Sequence, residues 1–363
     1  MSYKIERHRF EYARSWLGAT LSKGPGQIYH QSPSARNHTL SGLPFPTRLL
    51  DIGGTGSFRG TKITRLRHQM KSTSVKLWTT PIESSGQYLA LSHRWGQSEN
   101  FKLTKDKIGS FQEGIPFSSL PKTFQDAMIV TRRLGYRYIW IDALCIVQDD
   151  PDDWLRESVR MASVYHNAAC CIAAHTSRHS ESGFLDDTLE PVPTFQVRSK
   201  DDKSRYISNM TLASNFYDQV TRSFLSQRGW VFQERVLARR ILHFVKHHIF
   251  FEDGSGVKAD DLGGTGIPVS HSWAEHKFDI NDSFRGSTYW YSLVERYSGC
   301  SLTFDKDRLP AIASLAKEFQ KNSETGRYLF GLWERSLHLG LLWIDAAGTT
   351  LGMDAVGAHD LPP

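Results

Sequence analysis

From Tyr88 onward, short apolar runs alternate with segments whose apolar residues recur every three or four positions. Tyr88-Leu89-Ala90-Leu91-Ser92, Tyr138-Ile139-Trp140-Ile141 and Ala169-Cys170-Cys171-Ile172-Ala173-Ala174 have the length and composition of buried strands. Between them, Phe124, Ala127, Met128, Val130 and Leu134 fall at helical spacing, and Gly135 follows as a fitting left-handed stop. Asp153 can N-cap a second helix running from Trp154 to Tyr165. Strand, helix, strand, helix, strand implies parallel pairing through crossovers, and so an α/β fold with a doubly wound sheet.

The flanks are less regular. Residues 1 to 45 carry mixed charge without a sustained period and read as a loosely ordered leader, with Gly, Pro, Ser and Asn concentrated between Ser22 and Thr47. Arg48 to Ile52 and Thr61 to Leu66 alternate like two short strands about Gly53-Gly54, which predicts a peripheral hairpin. Residues 186 to 222 have the composition of an insertion. Trp230 to Leu237 then reads as a helix, Arg240 to Phe244 and Ile249 to Phe251 as strands, and Gly254 to Gly266 as a Gly-rich loop. Thr288 to Tyr297, Pro310 to Gln320 and Tyr328 to Leu337 are three predicted helices, so residues 256–363 are expected to be mainly helical.

Composition narrows the function classes. Ten tryptophans and 39% hydrophobic residues in 363 positions indicate a packed globular protein. The net charge of +6 does not imply nucleic acid, because Lys and Arg are interleaved with Asp and Glu. Cys145, Cys170, Cys171 and Cys300 lie mostly in apolar runs and suit reduced thiols in a cytosol. No apolar stretch approaches eighteen residues, and the start MSYKIERHRFEYARSW has no signal-like apolar region, so a cytoplasmic protein without a membrane span is expected.

In an open parallel sheet, ligands bind beyond the carboxyl ends of the strands. Three polar clusters fall there: Ser92-His93-Arg94-Trp95-Gly96, Asp142 to Cys145, and His175-Thr176-Ser177-Arg178-His179. A cleft holding Arg94, Asp142 and His175 would suit a phosphate-bearing ligand, with Arg94 as bidentate donor and Trp95 as a stacking surface. The competing reading has Asp142 capping a turn and Arg94 paired with it. Cys145 beside His93 or His175 could be a nucleophile or a buried inert thiol. Met161 and Tyr165 read as core, with Glu157 at the rim of their helix. Glu234 lies four residues beyond Trp230, so on a helix its carboxylate stands past an indole face and is open to a raised pKa and catalytic use. Alternatively it is a surface carboxylate paired with Arg235, Arg239 or another neighbour. His247-His248 near Glu252 and Asp253 match no metal-ligand spacing, and no P-loop arrangement is present.

The blocks Tyr88 to Gly96, Leu120-Pro121-Lys122-Thr123-Phe124-Gln125-Asp126-Ala127 and Tyr138 to Asp149 resemble, in order and spacing, the heterokaryon-incompatibility (HET) domain of filamentous fungi. The likeness continues through Asp153-Trp154, Glu157, Met161, Tyr165, Asn167-Ala168, Ser182-Gly183-Phe184 and Arg228-Gly229-Trp230-Val231-Phe232-Gln233-Glu234-Arg235. With the flanks it covers residues 43 to 343. It implies a HET domain over residues 46–255, with its core at 88–185, and an effector of self/non-self recognition and programmed cell death.

HET domains are in turn remotely similar to Toll/interleukin-1 receptor (TIR) domains, some of which cleave NAD. That likeness implies a TIR-like sheet, a place for Leu91 to Arg94 at the first-strand motif, and a catalytic role for Glu234 beside Trp230. Ser92, His93, Arg94, Trp95, Asp142, His175 and Trp230 would then bind the ligand, with NAD or a related nucleotide as substrate and no cofactor or metal. The expected partner is a second copy or another incompatibility protein, and the alternative to catalysis is a signalling module acting by self-association. Two departures stand out: no paired cysteines follow Trp16-Leu17, and the chain stops soon after Trp343, which suggests a short or truncated member.

Overall fold

The computed structural model describes residues 2–22, 43–54, 58, 61–96, 101–190, 194–198, 204–208, 216–260, 283–322 and 326–341. In chain order the first elements are α1 (Ser2–Ser22), β1 (Arg48–Asp51), α2 (Ile63–Lys71), β2 (Ser74–Thr79) and β3 (Leu89–Ser92). There follow α3 (Ile108–Glu113), β4 (Ile115–Pro116), α4 (Lys122–Leu134), β5 (Tyr138–Trp140), α5 (Asp142–Cys145), α6 (Pro151–Asn167) and β6 (Cys170–Ala174). Next come α7 (Leu185–Leu189), β7 (Thr194–Arg198), β8 (Ser204–Ser208), α8 (Gly229–Leu237), β9 (Arg240–Val245), β10 (His248–Asp253) and β11 (Gly256–Ala259). The C-terminal part contributes α9 (Ser283–Ser298), α10 (Pro310–Asn322), β12 (Tyr328–Leu329), β13 (Leu332–Trp333) and α11 (Leu337–Gly340).

The fold is α/β, organised on one nine-stranded sheet of order β11-β10-β9-β6-β3-β5-β1-β2-β4. Its centre is parallel: β3 pairs with β5 and β6, and β6 with β9. The three strand segments expected to be neighbours are therefore adjacent and parallel. Antiparallel strands extend both edges, with β1, β2 and β4 on one side and β10 and β11 on the other. The chain leaves β3 toward β5 through α4, then returns past β3 to β6 through α6. Crossovers of one hand in opposite directions put α4 and α6 on opposite faces. Accordingly α4 contacts α1 and α2, whereas α6 contacts α8 and α10.

Sequence signals explain the central elements. All four residues of β3, all five of β6 and all six of β9 are buried, as in strands covered on both faces. Gly135 closes α4 in the left-handed conformation at φ 95°.

Several expectations need correction. Thr61 to Leu66 does not form the second arm of a peripheral hairpin: α2 begins at Ile63, because Ile63, Leu66 and Met70 bring one helical face to the core. β1 is also not peripheral, lying between β5 and β2. The leader begins as the helix α1, which buries Phe10, Ala13, Trp16 and Leu17. Trp16 stacks on Phe251 with ring centroids 5.9 Å apart, and Arg9 pairs with Asp260 at 3.1 Å.

Asp150 rather than Asp153 caps α6. Asp153 instead accepts the backbone N–H of Val147 at 2.8 Å and pairs with Arg48. Within 186–222 a two-stranded β7–β8 hairpin is present, and β11 occupies part of the expected Gly-rich loop. Tyr328 to Leu337 opens as the β12–β13 hairpin and not as a helix, because Phe330 and Gly331 take positive φ values of 51° and 104°, a two-residue turn that suits the twist of paired strands. Most of Ser22 to Thr47, the stretch from residue 261 to Gly266, and Trp343 lie outside the described residues.

Candidate functional site

The chemistry collects at the carboxyl ends of the parallel strands. Glu234 reaches this rim from α8 and is 4% exposed. Burial, then the neighbouring Asp142 carboxylate, pushes its pKa up to about 7, against the opposing influence of the Ser92 hydroxyl, Arg228 and the Tyr165 hydroxyl. Each partner comes from a different element. Ser92 ends β3, Asp142 opens α5 just beyond β5, Tyr165 projects from α6, and Arg228 precedes α8. Arg228 Nη1 also donates to the His93 carbonyl at 2.7 Å, tying the start of α8 to the strand end.

Asp142 is itself held. Trp95 Nε1 donates to its Oδ2 at 2.8 Å, and His93 Nδ1 lies 3.7 Å from its Oδ1. Burial drives the His93 pKa down to about 4, although Asp142 opposes the shift, so the imidazole is neutral near pH 7. The rim thus holds two carboxyls, Asp142 on the surface side and Glu234 buried beneath it, the latter near its midpoint at neutral pH. Separated environments of this kind allow one group to hold charge while the other exchanges a proton.

Of the residues expected at the site, Ser92, His93, Trp95, Asp142 and Glu234 come together. Arg94 and His175 share the rim but do not meet Asp142. The Arg94 guanidinium lies over Phe224, 5.9 Å from its ring centroid, and His175 turns toward Ser223 and His243. Trp230 packs edge-on against Trp154, its Nε1 donating to Asp307 at 3.3 Å; the aromatic beside Glu234 is Tyr165. Arg235 pairs with Glu252, and Arg239 bonds His166, so the surface-pair alternative for Glu234 finds its named cations engaged elsewhere.

Tyr165 read as core from its helical spacing, and it is buried with Trp140 edge-on at 5.6 Å; its hydroxyl is the part that spacing could not reveal. Arg228 could have been suspected from its place one residue before a helix that carries Glu234. Glu157, expected at the rim, is 2% exposed and accepts from Thr47 at 2.8 Å. Cys145 is buried, and its thiol is pushed up to about 12 by that burial. His248 binds Asp260, and His247 turns away to the Glu190 carbonyl. Among the described residues no group of three or more His, Cys, Asp and Glu is placed to hold a metal ion.

A cavity of about 10 Å3 adjoins Ser92 and is also lined by His175, Ser226, Arg235 and His243, room for one water. A larger pocket of about 350 Å3 is lined by Phe45, Thr47, Ile82, Arg160 and Asn167 among others, and by none of Ser92, His93, Trp95, Asp142 and Glu234. The carboxyl pair is not there, so the larger pocket is not the place of the chemistry described above.

Residues 88–234 match the family described as Heterokaryon incompatibility protein (HET). The chain carries a HET domain. Its matched span opens at Tyr88, just before β3, and closes on Glu234, so the HET domain contains the central strands β3, β5 and β6 together with the whole carboxyl cluster. A function connected with heterokaryon incompatibility follows from the HET domain. Comparisons with curated proteins and with solved structures return no match. No described helix is long and apolar enough to cross a membrane.

Proposed function

We propose that this protein is a cytoplasmic effector of heterokaryon incompatibility in a filamentous fungus, coupling self/non-self recognition to programmed cell death through TIR-like cleavage of NAD at Glu234. The observation that carries the reading is Glu234 itself, a buried carboxyl raised to about 7 at the rim where an open α/β sheet binds ligands. In this mechanism Glu234 accepts hydrogen bonds from the ribose hydroxyls. As the glycosidic C–N bond breaks, its electron pair leaves with nicotinamide, and the carboxylate offsets the positive charge growing at the anomeric carbon. Water then adds at that carbon and its proton passes to Glu234. Asp142 adds negative potential, and Trp95 holds Asp142 in place.

A second reading rests on the enclosure of Glu234. Glu234 is only 4% exposed, and a site that stays closed would leave a non-catalytic module that kills by self-association or by recruiting another incompatibility protein. Incubating the purified protein with NAD and following nicotinamide release separates the two. Release that is lost in Glu234→Gln supports cleavage. A folded protein that kills cells while releasing no nicotinamide supports the module.

A further inference from the structure

A second polar assembly lies beside the rim and is not used by the chemistry of Glu234. Ser223 Oγ is 2.8 Å from His175 Nδ1, His175 Nε2 is 2.9 Å from His243 Nδ1, and His243 Nε2 is 2.9 Å from Glu252 Oε2. Arg235 Nε donates to the same carboxylate oxygen at 3.1 Å. The order of the atoms restricts where protons stand. With both imidazoles neutral and Glu252 ionised, one arrangement satisfies these three links: Ser223 donates to His175, His175 to His243, and His243 to Glu252; the Val220 carbonyl, 2.9 Å from Ser223 Oγ, is a second acceptor for the same proton, and the Ser226 N–H donates to that oxygen at 3.2 Å. Burial, with His243 and Arg235, holds His175 well below its ordinary pKa, while Glu252 opposes this, so its Nδ1 is free to accept.

The elements explain why these groups meet. His175 directly follows β6, and His243 lies on β9, the parallel neighbour of β6, paired there with Ala173. Glu252 lies on β10, whose pairing with β9 sets it across from Ile241. Ser223 stands in the segment after the turn of Tyr217–Thr221. The inner members His243 and Glu252 are 1% and 0% exposed, whereas Ser223 is only partly covered. One end of the chain of bonds is therefore fixed in the core and the other reaches the surface. Arg94 lies over the ring of Phe224, the residue after Ser223, which puts a cation at that surface end.

We propose that Ser223 is a nucleophile activated by His175, with His243 and Glu252 as positioning residues, and that it acts on a small anionic ester whose charge is met by Arg94. A hydroxyl bonded to a neutral imidazole whose far nitrogen is held by further acceptors is the arrangement that makes serine reactive. In the first step Ser223 Oγ attacks the ester carbonyl and its proton passes to His175 Nδ1. The C–O bond to the alcohol breaks, and the alcohol leaves with that proton. Water, losing a proton to His175, then releases the acid and restores Ser223 Oγ–H.

The probe is an alkyl fluorophosphonate, which phosphorylates activated serines with loss of fluoride; labelling of the full chain is followed by intact mass and peptide mapping. A single adduct on Ser223, absent from Ser223→Ala, is expected. His175→Asn is expected to slow labelling at least tenfold in a protein whose thermal melt shows that it still folds. The labelling rate is expected to rise with pH as His175 loses its proton, and Glu252→Gln should move that midpoint to lower pH by removing the charge that favours imidazolium. No adduct on the folded native chain, an adduct on another residue, or a folded His175→Asn protein labelled at the native rate would each overturn the proposal. The native chain and Ser223→Ala decide the matter even where the buried variants fail to fold. No NAD enters the assay, so its outcome is independent of the proposal for Glu234.

Discussion

Trp95 Nε1 donates to Asp142 Oδ2 at 2.8 Å, and that bond fixes the carboxylate which, after burial, does most to raise Glu234. A residue in the loop that follows β3 thus sets the electrostatic field of a residue on α8, through an acid that follows β5. Asp142→Asn removes the like charge. The Glu234 carboxyl is then expected to titrate lower, toward its ordinary value of 4.5, as read from the side-chain carboxyl carbon by NMR. An unchanged midpoint would mean that burial alone sets the shift.

Stability against pH gives a second check, because two neighbours at this rim have opposite signs. Glu234 is raised from 4.5 to about 7, so the stability it contributes is fully present below 4.5 and is lost as pH rises through 7. His93 is lowered from 6.5 to about 4, so its contribution is present above 6.5 and is lost as pH falls through 4. Between 4.5 and 6.5 the two largely cancel. Glu234→Gln removes one side, so urea midpoints should drop more steeply on acidification than in the native chain. The two proteins should diverge by on the order of 2–3 kcal/mol between pH 7 and pH 4.5. Parallel curves would contradict the shift assigned to Glu234.

Trp140 is 1% exposed and packs edge-on against Tyr165, whose hydroxyl faces Glu234. Trp140→Ala is expected to cost roughly 3–5 kcal/mol by opening a cavity, measured as a fall in the unfolding midpoint. Any activity lost in that variant follows from unfolding. An unchanged melting temperature would show that the indole is not part of the core.

Two glycines separate backbone strain from crowding. Gly135, at φ 95°, has open space where a Cβ would stand, whereas at Gly96, with φ 75°, a Cβ would come 2.4 Å from the Cβ of His179. Gly135→Ala is therefore expected to cost about 1–2 kcal/mol from conformation alone. Gly96→Ala carries the same strain plus displacement of the His179 loop, which adds roughly 1–3 kcal/mol. Equal losses in thermal unfolding would argue against the close approach of Gly96 to that loop.

The parallel centre was legible because β3, β5 and β6 are buried on both faces and so appear as unbroken apolar runs, with α4 between them closed by a glycine. α1 was not legible, because its apolar residues Phe10, Ala13 and Leu17 are interrupted by Arg and Glu. The packing that makes it a helix comes from Phe244 and Phe251, more than 230 positions away. At the site, motif residues such as Ser92, His93 and Asp142 were accessible because they end strands or follow them closely. The assembly of Ser223, His175, His243 and Glu252 was not, since its members are joined by sheet register between β6, β9 and β10 and not by spacing along the chain.

The central claim is that the carboxyl of Glu234 acts on NAD. Nicotinamide release is compared between the native chain and Glu234→Gln, with folding of both verified by their thermal melts. Glutamine keeps the shape of the side chain and removes its charge, so release is expected to slow by roughly 10²–10³-fold, the scale of a single electrostatic group at a transition state. A folded Glu234→Gln protein that releases nicotinamide at the native rate, or a native chain that releases none, would contradict it.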